Sequence, residues 1–212
     1  MSSIKLKHSG GNAVSLHPPT SAPSASDVQF KLPNADGSAN QLLKTDGSGN
    51  LGFVAQGIAG ITEFDYWHLT SNKTDNSDIT ANLSRVAITG SAAQIGTGMS
   101  ESSGIFTFPS TGKYLILLHA QFEIYGDDNC NVRLAVTTNN SSYTNVAQAN
   151  DGNSSSTSYR NGSATCPYFL DVTDTSNVKV KFIAGSLGTN SYLMGNSSIV
   201  YTSFTFIRIG DT

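Results

Sequence analysis

The run YLILLHAQFEIY, residues 114–125, constrains the fold more than any other stretch of this chain. It is continuously apolar at first and then alternates, with Ala120, Phe122 and Ile124 separated by polar residues. A period of two places alternate side chains on opposite faces of a strand, and it is incompatible with the 3.6-residue period of an amphipathic helix. The segments FDYWHL, NVRLAV, YFLDV, VKVKFIA and SIVYTSFTFIRIG repeat this texture between Asn, Ser, Gly and Asp loops. Six or more strands with turn signals between them and no helical period predict an all-β, antiparallel sandwich or jelly roll.

Composition agrees. Only 13% of the residues are charged, about half of the roughly 25% usual in globular domains, so Ser, Thr, Asn and Gly must build most of the polar surface. A net charge of −3 argues against nucleic acid as a partner, because a phosphate-binding surface is basic. No run approaches the ~20 apolar residues of a membrane-spanning helix, and the N-terminal MSSIKLKHSGGNAVSLHPP has no apolar stretch that would serve as a signal peptide. A soluble chain made in a cytosol is the expectation. Cys130 and Cys166 are too few for a disulfide framework or a structural zinc site, and two free thiols is the simpler reading for a reducing compartment.

Two regions differ in character. Residues 1–60 form a predicted extended arm of short strands and turns, in which four of the six prolines lie within the first 33 residues. Within the arm, Val28, Phe30 and Leu32 alternate with polar residues, and two Asp-Gly-Ser turns bracket NQLLKT, which reads as three minimal strands. The Gly47, Gly49, Gly52 spacing of DGSGNLG matches a dinucleotide-binding loop only on paper, since no buried strand enters it and no helix leaves it. The glycines are instead expected to supply positive φ in a hairpin. So few apolar residues cannot hold short strands in isolation, so the arm is expected to order against copies of itself or against another protein. Residues 61–212 are the predicted sandwich domain.

No constellation for catalysis is present in the sequence pattern. His8, His17, His68 and His119 are scattered, with no metal-ligand spacing, and neither a Gly-x-Ser-x-Gly elbow nor a phosphate-binding Gly-Lys-Ser/Thr loop occurs. A non-enzymatic protein without cofactors is expected. Asp127, Asp128 and Asn129 in GDDNCN are the one cluster of hard oxygen ligands; calcium takes six to eight oxygens, so a polar loop tip is the simpler reading. DGNSSSTSYRNGS, residues 151–163, reads as a long loop in which Tyr159 and Arg160 stand among small polar residues, the composition of an adaptable recognition surface. In the last strand Phe204 and Phe206 share one parity while Ile207 and Ile209 occupy the other, so both faces call for cover. With Tyr201, these four are the expected subunit interface.

The segment SSGIFTFPSTGKYLI, residues 102–116, carries Gly104, Phe106, Pro109, Gly112 and Tyr114. This Gly-x-Phe-x-x-Pro-x-x-Gly-x-Tyr pattern resembles the lead-in to a central strand of C1q/TNF-like jelly rolls, and the closing YTSFTFIRIGDT is similar to their aromatic last strand. SNKTDNSDITANLSRV and IGTGMSESSGIFTFPSTG resemble the version found in virion proteins of tailed, particularly marine, phages. SIKLKHSGGNAVSL and LPNADGSANQLLKTDGSGNLGFV resemble a stretch of phage tail-fibre proteins. The resemblance implies a homotrimer without catalytic chemistry, located in the virion. Its head would recognise a host-surface receptor or glycan, and its residues 1–60 would join other virion proteins. It also leaves open a capsid decoration protein, and calcium, which some C1q-like domains bind.

Overall fold

The computed structural model describes residues 4–17, 19–23, 28–55 and 60–212, without the side chains of Lys5, Val14, Asp127, Ser155 and Ser156. Parts of the expected arm, Pro18 and residues 24–27 among them, lie outside the described residues. The chain divides into two compact units, Met1–Ala59 and Gly60–Thr212. Among the described residues all regular structure is β, and no helix is long and apolar enough to cross a membrane.

The first unit contains two antiparallel hairpins, β1 (Ile4–Lys7) with β2 (Ala13–Leu16) and β3 (Gln41–Thr45) with β4 (Leu51–Ala55). The DGSGNLG stretch is the connection between β3 and β4. Gly47 and Gly49 take φ of 83° and 86°, and the Asp46 carboxylate accepts the backbone N–H groups of Ser48 at 2.7 Å and Asn50 at 3.1 Å. The third strand expected at Val28–Leu32 is reduced to a single bridge between Lys31 and Asn50, as Pro33 offers no N–H to continue a ladder.

The second unit is built from β5 (Phe64–Leu69), β6 (Ser71–Lys73), β7 (Leu83–Arg85), β8 (Gln94–Ile95), β9 (Ser100–Ser102), β10 (Ile105–Thr107), β11 (Gly112–Thr137), β12 (Thr144–Val172), β13 (Lys179–Gly185), β14 (Tyr192–Asn196) and β15 (Ser203–Gly210). The long strands β11 and β12 pair antiparallel from Val136↔Thr144 at the turn to Gly112↔Val172 at the far end. The first half of β11 has β15 on its other side, followed by β5 and β7; its last seven residues have β13 instead, followed by β10 and β9. One bent ribbon thus belongs to both layers, and the layers close on each other as a jelly roll.

The bend has a local cause. Tyr125 pairs with Tyr159, but Asp127 pairs with Ser154, so residues 155–158 stand opposite Gly126 alone, whose φ is 72°. Extra residues on one strand of a pair force it to kink and twist. Asn153, buried at the bulge, donates from its amide to the carbonyls of Ile124 at 3.3 Å and Ser158 at 2.9 Å. Residues 151–163 are therefore not the loop expected from their composition; they form the kinked middle of β12. Asp127, Asp128 and Asn129 likewise lie within β11 and not at a loop tip.

Even-numbered residues of β11 face inward, from Tyr114 through Ile124 and again from Cys130 to Val136. The core between the layers is aromatic. The Phe106 ring lies 5.3 Å from Trp67, 5.7 Å from Phe182 and 5.1 Å from Phe206, and is fully buried. The Gly-x-Phe-x-x-Pro-x-x-Gly-x-Tyr segment places this hub: Gly104 has φ of 82° and a side chain there would collide with the Ile79 carbonyl, while the buried Tyr114 hydroxyl donates to the Ser110 carbonyl at 3.1 Å. Phe204 and Phe206 belong to this core, at 0% and 1% exposure. They are corrected from the expected subunit interface, because the even parity of β15 faces β13 and β10 of the opposite layer.

Phe106→Ala removes the ring that both layers share and should cost about 3–5 kcal/mol of stability, measured by urea unfolding of the whole chain.

Candidate functional site

Two surfaces of the second unit stand out, both on the outward face of the layer β5-β15-β11-β12. The odd residues of β11 and β15 point to this face, and register sets them in rows across four strands. One row is Phe64, Ile207, Leu115 and Phe169; the next is Tyr66, Thr205, Leu117 and Pro167; the third is His68, Ser203, His119 and Thr165. The first two rows are predominantly apolar, and Phe169 and Ile209 are 54% and 55% exposed. A hollow of about 470 Å³ opens between the second and third rows, lined by Tyr66, Leu117, His119, Ser203 and Val200 among others. Of the residues expected at a subunit interface, Ile207 and Ile209 lie on this face, whereas Tyr201 precedes β15 in a half-buried turn.

The third row is polar. The His119 Nδ1 is 2.9 Å from the Thr165 hydroxyl. His68 is buried, its Nδ1 has no hydrogen-bond partner, and burial pushes its pKa below 6.5. A neutral imidazole follows at physiological pH, because charging it would need hydration that the fold has removed.

The second surface lies past the end of β15, whose pairing with β11 stops at His119. Here β14 takes up the edge, with Tyr192 opposite Glu123, and Glu123 is in turn opposite Asn161 on β12. The next row is Tyr125 and Tyr159, whose rings are 4.7 Å apart at 48°; the row before is Gln121 and Ser163. Tyr159 is 57% exposed. The Tyr192 phenol is pushed up to about 12, first by its hydrogen bond to the Glu123 carboxylate and then by burial. Neutral phenol and carboxylate hold each other in place, and Tyr192 stays a hydrogen-bond donor throughout the physiological range.

Arg160, expected beside Tyr159 in a recognition loop, has a different position. Its guanidinium bonds the Asp151 carboxylate at 2.7 Å and the Gly152 carbonyl, clasping the two sides of the β12 kink. Asp151 also accepts the N–H groups of Gly152 at 2.7 Å and Ser163 at 2.9 Å, and the Arg160 hydrogen bond leads the causes that hold its carboxyl below 3.8. Tyr159 and Arg160 are thus neighbours with separate roles, one presenting a ring and one bracing the strand.

The oxygen cluster of β11 is engaged by the protein. Asp128 accepts from the backbone of Asn129 at 2.9 Å and of Gly188 at 2.8 Å and faces the Cys130 thiol; Asp127 has no described side chain. Among the described residues no group of three or more His, Cys, Asp or Glu is arranged for a metal. Both cysteines are free, and burial followed by the Asp128 charge pushes the Cys130 thiol up to about 12. Sequence reasoning missed Glu123, Tyr125, Asn161 and Tyr192. The signal for the first two was already in YLILLHAQFEIY, as the outward parity of a strand whose inward parity was read.

No protein-family model and no curated protein matches this sequence. Among solved structures, murine APRIL at pH 5.0 aligns with a TM-score of 0.52 at 10% identity, covering 69% of this chain and 98% of that one. Murine APRIL at pH 8.5 aligns with a TM-score of 0.50 over the same shares, also at 10% identity. The second unit therefore has a TNF-like jelly-roll fold, and identity this low extends to the fold alone.

The Tyr192 phenol yields a direct check. In Glu123→Gln its titration should fall toward 10, visible as extra tyrosinate absorbance at 295 nm between pH 10 and 12 relative to the parent. A phenol raised in the folded state contributes stability that is complete below its unfolded value near 10 and is lost as pH rises through about 12. The stability difference between the two proteins should accordingly be flat from pH 6 to 9, decline from about pH 10 and vanish above about pH 12.

Proposed function

We propose that this chain is a structural protein of a tailed-phage virion, a homotrimeric fibre or appendage whose Gly60–Thr212 head recognises the host surface. The observation that carries the assembly is the outward face of β5-β15-β11-β12, where Phe64, Leu115, Leu117, Phe169, Ile207 and Ile209 form a contiguous apolar surface. Monomeric soluble proteins seldom expose such a patch without a partner. Jelly rolls of this family are typically homotrimers, and a closed three-fold ring leaves no face uncovered. Met1–Ala59 supports the attachment role: Leu42 and Leu43, adjacent in β3 and so on opposite sides of a two-stranded hairpin, are 53% and 52% exposed. Such a hairpin is marginal alone and gains order from what it joins.

In this reading the mechanism is binding by repetition. Three heads held on one particle engage a repetitive cell surface together, and avidity exceeds a single head's affinity by about 10²–10⁴-fold. Each head-to-surface contact is then free to be weak and reversible.

Two measurements test the reading. The chain should sediment as a trimer in analytical ultracentrifugation at micromolar concentration and as a monomer when Leu117→Lys and Ile207→Lys place two charges on the outward face; a monomeric parent protein sinks the assembly. Immunogold labelling of virions with antibodies against residues 61–212 should mark the tail. Label over the capsid would assign a decoration role, and no label would remove the virion reading.

A further inference from the structure

We propose that Tyr125, Tyr159, Tyr192, Glu123 and Asn161 form a carbohydrate-binding platform that takes a neutral or amino sugar and rejects anionic ones. The proposal rests on the reading of this unit as a recognition head and names the ligand class. Strand spacing and rise make the surface about 10 Å across three strands and about 14 Å along them, the footprint of one or two pyranose rings.

Three features point to a sugar. First, Tyr159 is 57% exposed and its ring is braced against Tyr125 at 4.7 Å. A fixed aromatic face offers apolar area and a negative π-surface at low entropic cost, which suits the C–H face of a pyranose. Second, polar groups of both kinds surround the ring pair. Glu123 accepts only, while Tyr192, Asn161, Gln121 and Ser163 donate and accept, as a polyhydroxylated ligand requires. The strands and the Glu123–Tyr192 hydrogen bond hold these groups in position before any ligand arrives.

Third, the fixed charge is negative. Glu123 forms no ion pair among the described residues, and the guanidinium of Arg160, the residue before Asn161, is consumed by Asp151 and Gly152. A carboxylate without a counter-ion accepts from hydroxyl or ammonium groups and repels carboxylate, sulfate and phosphate. The platform also lies past the end of β15, beyond the apolar rows assigned above to subunit contact, so both surfaces can be used at once.

The test is saturation-transfer NMR on the full chain with methyl glucoside, methyl galactoside, N-acetylglucosamine and glucosamine, and with glucuronate and N-acetylneuraminate as anionic counterparts. At least one neutral or amino sugar should bind at millimolar concentration and both acids should not. Tyr159→Ala and Glu123→Gln should each weaken binding about tenfold in a chain that is still folded at the assay temperature by circular dichroism, and Glu123→Lys should admit glucuronate. Silence from all four neutral and amino sugars, equal binding of the acids, or binding that survives both substitutions overturns the proposal. Attachment of the trimer to bacterial cells that depends on Tyr159 yet resists periodate oxidation of the cells would identify a polypeptide epitope, overturning the sugar while leaving the recognition head standing. A monomeric chain that binds these sugars would do the reverse.

Discussion

The pairing of β11 with β12 is the constraint on which the rest of the second unit depends. Because the ribbon is bent and shared, the strands β15, β5 and β7 on one side and β13, β10 and β9 on the other are brought face to face without a separate connection between layers. Phe106, Phe182, Phe204 and Phe206 meet only because of that bend. The outward rows follow from the same pairing, since the register that sends even residues of β11 into the core sends Leu115, Leu117, His119, Glu123 and Tyr125 out. Core and outward surface are two readings of one alternation.

A second interaction fixes the flank of the sandwich. Asp65, 1% exposed, accepts from the Arg85 guanidinium at 2.8 and 3.1 Å and from the Met99 N–H at 2.6 Å, and the Arg85 guanidinium carbon lies 4.8 Å from the centre of the Trp67 ring. A buried carboxylate with three donors is satisfied, and removing the Arg85 guanidinium would strand its charge. Through it β5, β7 and the segment before β9 are tied to one point, which keeps Phe64 and Tyr66 in their outward positions.

Much of this architecture was legible in the sequence, because alternation is a direct imprint of a sheet with one wet face. FDYWHL coincides with β5, and the Gly104-to-Tyr114 segment marked the turn into the central strand. What was misread has physical reasons. Residues 151–163 have the composition of a loop, yet the same small polar side chains are what a strand needs to kink sharply while bonding its own backbone, as Asn153 and Asp151 do. In β15 both parities are apolar, so the sequence could not say which one the opposite layer would claim; the aromatic parity went inside. Tyr192 and Glu123 are 69 positions apart in the numbering, and no local pattern announces a pair made by strand register.

The ribbon also has a consequence in time. Its turn is closed locally, with the Asn139 side-chain carbonyl accepting the N–H groups of Ser141 at 3.0 Å and Ser142 at 2.9 Å. From that turn each successive β11–β12 pair extends contacts already made, so the most distant pairing, Gly112 with Val172, is reached through a series of short closures and not by one long search. Loop-closure entropy, which slows most sandwiches of this kind, is thereby spread over many small steps. The hairpin that defines the architecture is also the element best suited to form before the others and to template them.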